Sequence, residues 1–396
     1  MSPDLPPPLA ERMPALRAAA QAEPLGVYLH IPFCLDRCTY CSFTTTRDRD
    51  LQPATIGQLV SHIQRWGEAL GRPAVDTLYL GGGTPSLLSE EELEELTMAL
   101  RGAFDLRPLV EATLEANPGT IDLGWLRHAR NLGWDRISLG VQALDDGLLS
   151  RLGRIHGAAQ ALEALELAEQ AGFLRRSADL MVGIPGQSLS KVVEDARTLA
   201  ATGIDHLSVY LLDLDKACPL RAEIDAGRLA LPSEDAVADA FEALQTELPD
   251  LGLAPYEISN YARPGAESIH NTRYWERRPY LGLGPGAASQ LGSFRWTESG
   301  VIAAWTAGRG AVDLQELDAA EALAEIPLLG LRLHRGVDWN ALRTEAEARN
   351  LRPLADGWEA RLRALAKEGL VAWDDGRVSL TSRGMLVSNG ILEMFT

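Results

Sequence analysis

Three cysteines lie close together near the start of the chain, in the segment Cys34-Leu-Asp-Arg-Cys38-Thr-Tyr-Cys41. Three residues separate the first pair and two separate the second, so a single loop can wrap all three thiolates around one compact metal centre. Three thiolates leave a four-iron cluster one protein ligand short, so that one iron stays open to another molecule. The spacing therefore predicts an iron-sulfur cluster with one open iron.

A structural zinc site is the alternative for this loop. Zinc of that kind takes four protein ligands, and the nearest fourth ligand is His30, four residues before Cys34. The remaining cysteine, Cys218, precedes Pro219 far along the chain, where a cysteine is more often a small buried apolar residue than a ligand. Four cysteines with three inside eight residues do not make the disulfide framework of a small secreted protein.

Further residues that could bind a ligand or take part in chemistry follow other strand-like segments. In the turn Gly81-Gly82-Gly83-Thr84-Pro85-Ser86, glycines let the backbone approach a ligand with no Cβ in the way, although an ordinary tight turn has the same composition. An acid at a strand end suits ribose hydroxyls, and arginine suits a carboxylate through its forked guanidinium. Each such residue, taken alone, is more often a surface or capping residue than a ligand-binding one. The polar residues in these positions are Glu115, Gln142, Arg154 and Asp179.

The elements that must position these residues alternate along the chain. Short apolar runs alternate with longer amphipathic stretches, which is typical of strand-helix units on a parallel sheet. The predicted strands are Val27–Ile31, Thr77–Leu80, Ala112–Ala116, Arg136–Gly140, Ala178–Val182 and His206–Leu211. The predicted helices between them are Pro53–Leu70, Glu90–Phe104, Leu123–Leu132, Ala158–Ala171 and Ser188–Ala201. The fold class is α/β, and because glycine and polar residues recur just after strands, a barrel is favoured over an open doubly wound sheet.

The pattern divides the chain into four parts. We predict a flexible N-terminal lead over residues 1–24, a barrel core over 25–232, a barrel extension over 233–314 and a C-terminal accessory domain over 315–396. In the extension we expect a helix near Glu234–Leu248, a strand over Tyr256–Tyr261 and a glycine-rich stretch. The accessory domain is predicted to be helical with a small terminal hairpin, similar to a winged helix.

Composition excludes several classes of partner. The 396 residues carry a formal charge of −18, which disfavours nucleic acid because binding to phosphates needs a basic surface. The first two dozen residues lack the basic start and apolar stretch of a secretory signal, and no run approaches membrane-spanning length. We therefore expect a cytoplasmic protein.

The cysteine loop resembles the signature of the radical S-adenosylmethionine superfamily, including an aromatic residue, Tyr40, before the last cysteine. The resemblance implies a partial (βα)6 TIM-like barrel, a [4Fe-4S] cluster on Cys34, Cys38 and Cys41, and bound S-adenosylmethionine, whose sulfonium the cluster's electron cleaves to a 5′-deoxyadenosyl radical. It also implies the residues that bind S-adenosylmethionine: Tyr28, Tyr40, Gly83, Thr84, Glu115, Gln142, Arg154 and Asp179.

Within the superfamily the whole chain resembles the branch of the oxygen-independent coproporphyrinogen III oxidases, and two functions compete there. One is the oxidase itself, a radical enzyme that decarboxylates propionates. The other is a haem chaperone of the HemW type, which carries haem to respiratory haemoproteins. The oxidase's signature continues with a fourth cysteine where this chain has Phe43, and its N-terminal arm is longer, so both features favour the chaperone. Cleavage of S-adenosylmethionine, and hence enzyme activity, stays undecided.

The segment His270-Asn-Thr-Arg-Tyr-Trp275 matches the H-N-x-x-Y-W motif of the chaperone family. The resemblance favours haem as cargo with His270 as its iron ligand, and Arg273, Arg277 and Arg278 are suited to the propionates. A histidine followed by aromatic residues is, taken alone, more often a packed structural anchor. The expected partners are haem and haem-accepting respiratory proteins, with peripheral contact to the membrane during delivery, and a homodimer is left open.

Overall fold

The computed structural model describes residues 6–396, and a large parallel sheet forms its centre. Six strands pair in parallel in the order in which they occur along the chain. The structure confirms all six predicted strands, each within three residues of its predicted bounds. They are β1 (Leu25–Ile31), β2 (Val75–Gly82), β3 (Glu111–Ala116), β4 (Arg136–Gln142), β5 (Arg175–Val182) and β6 (His206–Leu211).

The helices of the barrel core connect these strands as the alternating pattern predicts. The capping box that opens one of them is formed by Ser89 and Glu92, each side chain bonding the backbone amide of the other. The short helix α5 is an addition to the five predicted helices. The helices up to residue 201 are α1 (Pro7–Ala22), α2 (Gln52–Leu70), α3 (Glu90–Ala103), α4 (Leu123–Asn131), α5 (Asp146–Arg151), α6 (Ala158–Gln170) and α7 (Leu189–Ala201).

Helix α1 corrects the prediction of a flexible lead over residues 1–24. Residues 7–22 are helical, and Leu9, Leu16 and Ala20 are buried against the core. The Pro- and Ala-rich composition hid this packing, because three apolar contacts on one helix face are enough to dock a helix but too few to stand out in sequence. Residues 1–5 of the predicted lead lie outside the described residues.

The segment after β6 extends the sheet at both edges. Its helices are α8 (Pro219–Asp225), α9 (Glu234–Asp250), α10 (Ile269–Trp275) and α11 (Ile302–Thr306). Its strands are β7 (Ala254–Pro255), β8 (Asn260–Ala262), β9 (Tyr280–Leu283), β10 (Ala288–Leu291), β11 (Phe294–Glu298) and β12 (Val312–Glu316). The spatial order is β12-β11-β10-β9-β1-β2-β3-β4-β5-β6-β8-β7, so the described sheet has two edges and forms a partial barrel, as predicted.

The single strand predicted over Tyr256–Tyr261 is wrong. The chain forms two short antiparallel strands instead, β7 and β8, with a turn between them. The buried Glu257 carboxylate sits inside this turn and accepts hydrogen bonds from the Ser259 amide and the Asn260 side chain. A side chain that bonds its own backbone two residues on favours a turn over a strand.

The C-terminal region has a hydrophobic core of its own, which includes Trp339, Trp358 and Leu362. The predicted boundary at residue 315 falls inside β12 and stays a prediction. None of the helices between residues 6 and 396 has the length and apolarity needed to cross a membrane. The elements of this region are α12 (Ala319–Gly330), α13 (Trp339–Ala348), α14 (Arg352–Lys367), α15 (Ser382–Leu386), α16 (Ser388–Leu392) and a small sheet of β13 (Val337–Asp338), β14 (Val371–Asp374) and β15 (Arg377–Leu380).

Candidate functional site

The cysteine segment forms a loop directly after β1, at the carboxyl ends of the parallel strands. The amide of Cys34 donates to the Thr46 carbonyl (3.0 Å), and the Thr46 amide donates to the Pro32 carbonyl (2.7 Å). Further along, the Cys41 amide donates to the Cys38 carbonyl (3.2 Å). All three cysteines are half-buried and line one cavity of about 400 Å³. The loop therefore presents three thiols to the same space.

Hydrogen-bond donors approach two of the three sulfurs. The Thr84 hydroxyl lies 3.7 Å from the Cys34 Sγ, and Arg154 Nη1 lies 3.3 Å from the Cys38 Sγ. Burial raises the pKa of the Cys34 thiol, and the Thr84 hydroxyl opposes that rise by favouring the thiolate, which is the form that binds iron. A four-iron cluster takes its cysteine ligands on different iron atoms, and three cysteine thiols around one cavity fit that arrangement.

His30 does not serve the zinc alternative. Its Nε2 bonds the Thr44 carbonyl (2.8 Å) and therefore carries the proton, and its Nδ1 accepts from the Tyr28 hydroxyl (2.9 Å). The ring is buried, and burial lowers its pKa. Since both ring nitrogens are engaged, the proposed fourth zinc ligand would have to break a hydrogen bond to bind metal.

The glycine turn after β2 packs directly against the cysteine loop. Gly82 has a φ of +114°, and a Cβ there would lie 2.7 Å from the His30 ring. The Gly83 amide donates to the Ile31 carbonyl (2.7 Å), and a Cβ on Gly83 would lie 2.7 Å from the Phe33 carbonyl oxygen. Only residues without a side chain allow this approach, so the turn is more specific than an ordinary strand-to-helix connection.

Two buried acids face the cavity from β3 and β5. Glu115 accepts hydrogen bonds from the Tyr79 hydroxyl (2.7 Å) and the Gly82 amide (3.0 Å), and burial raises its pKa to about 7. Burial also raises the pKa of Asp179 to about 6, although the Ser138 hydroxyl donates to its Oδ1 (3.3 Å). Both carboxyls can exchange hydrogen bonds with hydroxyl groups of a ligand.

Gln142 occupies a strained position at the end of β4. It is a non-glycine residue with a φ of +70°, next to a register shift between β4 and β5. Left-handed backbone of this kind costs free energy and is found disproportionately at ligand sites. The strain directs Gln142 to the cavity wall.

The structure brings seven of the eight residues predicted to bind S-adenosylmethionine onto the wall of this cavity. The exception is Tyr28, whose hydroxyl bonds His30 and whose ring packs near Tyr79. The seven are Tyr40, Gly83, Thr84, Glu115, Gln142, Arg154 and Asp179.

Sequence reasoning missed several residues of the cavity wall. Asn117, just after β3, accepts a hydrogen bond from Arg154 (2.6 Å), and its place at the carboxyl end of a strand was an available signal. Tyr210 and Leu211 lie at the end of β6 with exposed side chains, and Phe43 is 67% exposed at the cavity rim. These apolar residues carry no motif that a single sequence reveals.

His270 lies away from this cavity, among residues from the amino ends of the strands. It is fully buried, with Nδ1 3.0 Å from the Thr77 hydroxyl and Nε2 2.9 Å from the Tyr274 hydroxyl. Its ring packs 5.1 Å from that of Tyr79, and burial lowers its pKa to about 3. This geometry is that of a packed structural anchor, which is the second role that the sequence left open for His270.

A buried carboxylate holds the start of the same helix, α10. Glu111 accepts hydrogen bonds from the amides of Ile269 and His270 (2.9 Å each) and pairs with Arg175 (2.9 Å). Burial acts to raise the pKa of Glu111, but Arg136 and Arg175 outweigh it and hold the pKa below its usual value. An acid at a helix N-terminus satisfies amides that have no partner within the helix.

The three arginines expected to meet propionates are already paired within the chain. Arg273 and Arg278 both bond Asp76, and Arg278 also bonds Glu23. Arg277 lies 3.4 Å from the Glu325 carboxylate. All three arginines are thus bonded to carboxylates of the same chain, and their use for haem propionates stays a prediction.

Comparison with known proteins shows which family this chain resembles. Residues 28–199 match the radical SAM superfamily, and residues 317–387 match the HemN C-terminal domain. The heme chaperone HemW of Mycobacterium tuberculosis is 33% identical over 391 residues, which is 95% of each chain. The heme chaperone HemW of Bacillus subtilis is 33% identical over 378 residues, covering 93% of this chain and 98% of that protein.

A more distant relative and a solved structure agree with this result. The mouse mitochondrial radical S-adenosyl methionine domain-containing protein 1 is 32% identical over 386 residues, covering 93% of this chain and 86% of that protein. Coproporphyrinogen III oxidase (HemN) from Escherichia coli superposes with a TM-score of 0.83 at 22% identity, over 100% of this chain and 94% of that one. At that identity the superposition establishes the shared fold.

Proposed function

Because this chain belongs to the HemW family of the radical S-adenosylmethionine superfamily, we propose that it is a haem chaperone, which binds haem and passes it to haem-requiring proteins. The observation that carries the proposal is the 33% identity with a heme chaperone HemW over 95% of both chains. The similarity runs through the C-terminal region as well as the barrel, so it is not limited to the part that radical SAM proteins have in common.

The cavity at the carboxyl ends of the strands supports a proposal for the cofactor residues. Cys34, Cys38 and Cys41 are proposed to hold a [4Fe-4S] cluster, since their thiols line one space. S-adenosylmethionine is proposed to lie beside it, with Glu115 and Asp179 directed at ribose hydroxyls. When bound, the cluster supplies the electron with which this superfamily cleaves S-adenosylmethionine.

For haem we propose a binding site at the rim of the same cavity. Phe43, Tyr210 and Leu211 are 67%, 40% and 44% exposed there, and an exposed apolar patch next to a cavity is typical of a ligand site. Arg37 on the cavity wall is exposed and suited to a propionate. His270 as the iron ligand also stays a proposal, on the condition that its ring leaves Thr77 or Tyr274.

An anaerobic hemin titration of the cluster-loaded protein, followed by Soret absorbance, tests this function. We expect saturable, stoichiometric binding that weakens at least fivefold in Phe43→Ser and Leu211→Ser. Leu174→Ser is the matched control, because Leu174 is 86% exposed just before β5, at the opposite end of the strand from the cavity. Absence of hemin binding by the intact protein would refute the chaperone function, and coproporphyrinogen III decarboxylation would then be assayed.

We propose haem-requiring respiratory proteins as the acceptors and the cytoplasm as the site of action, with membrane contact only during delivery. The test is transfer of bound haem to an apo-cytochrome in membrane vesicles, followed by the acceptor's absorbance. Light scattering of the separated species with and without hemin determines whether a homodimer forms. Retention of haem by this chain in the presence of every apo-acceptor would contradict delivery while leaving haem binding intact.

A further inference from the structure

The segment at the end of α5 clamps the cysteine loop at its centre. Thr39, which follows Cys38, donates from its amide to the Leu152 carbonyl (2.9 Å) and from its hydroxyl to the Arg151 carbonyl (2.8 Å). From the other side, the Leu220 amide donates to the Thr39 carbonyl (2.9 Å). The backbone next to Cys38 is therefore held by three hydrogen bonds from two separate elements.

Arg154 continues this clamp to the sulfur of Cys38. Its Nη1 donates to the Cys38 Sγ at 3.3 Å, while its Nη2 donates to the Asn117 side-chain oxygen and to the Gly140 carbonyl, at 2.6 Å each. A Cβ on Gly140 would lie 3.0 Å from Nη2 and would crowd the guanidinium in this position. The two short hydrogen bonds from Nη2 fix the orientation of the guanidinium, and this orientation directs an N–H of Nη1 at the Cys38 thiol.

One donor of Arg154 is left for a ligand. A guanidinium has five N–H groups; the three bonds above use three of them, and Nε is buried, which leaves one N–H on Nη1. Arg154 also lines the cavity. The sulfur contact and the expected contact with the carboxylate of S-adenosylmethionine are therefore compatible with each other.

We propose that Arg154 is a positioning residue that sets the reduction potential of the cluster through its hydrogen bond to the Cys38 thiolate. The inference rests on the proposed function, since it requires the cluster. Reduction adds one electron, taken from an external low-potential donor, and no bond forms or breaks. A hydrogen bond and a positive charge at a ligating sulfur stabilise the extra negative charge and so raise the potential. Thr84, at 3.7 Å from the Cys34 Sγ, acts in the same sense more weakly.

The test is a dithionite titration with redox mediators, followed by electron paramagnetic resonance, on protein whose iron and sulfide content has been measured. We expect a more negative potential in Arg154→Gln and a smaller shift in Arg154→Lys, which keeps the charge and loses the fork. Arg37→Gln is the matched control. Arg37 Nη2 bonds the Cys41 carbonyl (3.1 Å) and no sulfur, so this substitution removes a nearby charge and leaves the hydrogen bonds to sulfur in place. A shift in Arg154→Gln no larger than in Arg37→Gln overturns the proposal.

A second measurement needs no variant of Arg154. In wild-type protein grown with ¹⁵N-labelled arginine, pulsed electron paramagnetic resonance of the reduced cluster should detect hyperfine coupling to arginine nitrogen. A reduced cluster with no such coupling overturns the role of Arg154 and leaves the proposed function standing. Failure of the wild-type chain to hold any cluster overturns both.

Discussion

Replacing His270 by alanine separates a structural anchor from an exposed iron ligand, because the two roles predict very different stabilities of the haem-free protein. The ring is fully buried and packs against Tyr79. Its removal leaves a cavity, for which large-to-small substitutions cost about 2 to 5 kcal/mol. It also leaves the buried Thr77 hydroxyl without a partner, at about 1 to 3 kcal/mol. Since these costs overlap, we expect about 3 to 5 kcal/mol in total.

The assay is urea unfolding of the haem-free, metal-free chain, followed by far-ultraviolet circular dichroism. An exposed ligand would change the free energy of unfolding by no more than about 0.5 kcal/mol. His128→Ala is the control, because that side chain is a quarter exposed and its carboxylate partner Glu90 is 3.7 Å away. A His270→Ala protein as stable as wild type would refute the buried arrangement. Loss of hemin binding by this variant identifies an iron ligand only if its stability is unchanged.

Three further predictions concern the cavity and the buried histidine. The pKa of Glu115 is raised to about 7, so its ionised fraction falls about tenfold from pH 8 to pH 6. The affinity for 5′-methylthioadenosine, measured by calorimetry, should fall by the same factor over that range, and Glu115→Gln should remove this pH dependence. Burial lowers the pKa of His270 from 6.5 to about 3. The stability that the neutral ring contributes is therefore complete above pH 6.5 and is lost as the pH falls toward 3, by up to about 1.4 kcal/mol per pH unit. The free energy of unfolding of the wild type should fall more steeply over that range than that of His270→Ala. Gly82→Ala should lower the iron bound per chain on reconstitution, because its Cβ would meet the His30 ring, whereas Gly57→Ala, with open space around it, should not.

Local patterns in the sequence were enough for most of the barrel. The period of apolar residues along α2 and α3, and the apolar runs of β1 to β6, depend on neighbours within a few positions, so they are readable without an alignment. The same holds for the cysteine loop and for the glycine turn. Seven of the eight residues expected to bind S-adenosylmethionine meet in one cavity, because the carboxyl ends of parallel strands lie at the same end of a barrel.

Edge elements were the least predictable part of the fold. Strands β9 to β12 are four or five residues long, and β7 and β8 have only two and three. Such segments take their conformation from the strand they pair with, so composition alone does not distinguish them from loops. Helix α1 was missed for a similar reason, since it depends on contacts with distant parts of the core.

The sequence by itself determined the chemistry that is available, namely three thiols in one loop, a glycine turn and acids at the ends of predicted strands. Only the tertiary structure decided which polar groups face the cavity and which are sealed inside. His270 is the clearest case, because its ring bonds Thr77, 193 residues away, and its backbone amide is held by Glu111, 159 residues away. Whether an imidazole is a free ligand or a neutral buried hydrogen-bond partner depends on its desolvation and on the groups that surround it. Those groups come from distant segments, so that property arises only when the chain is folded.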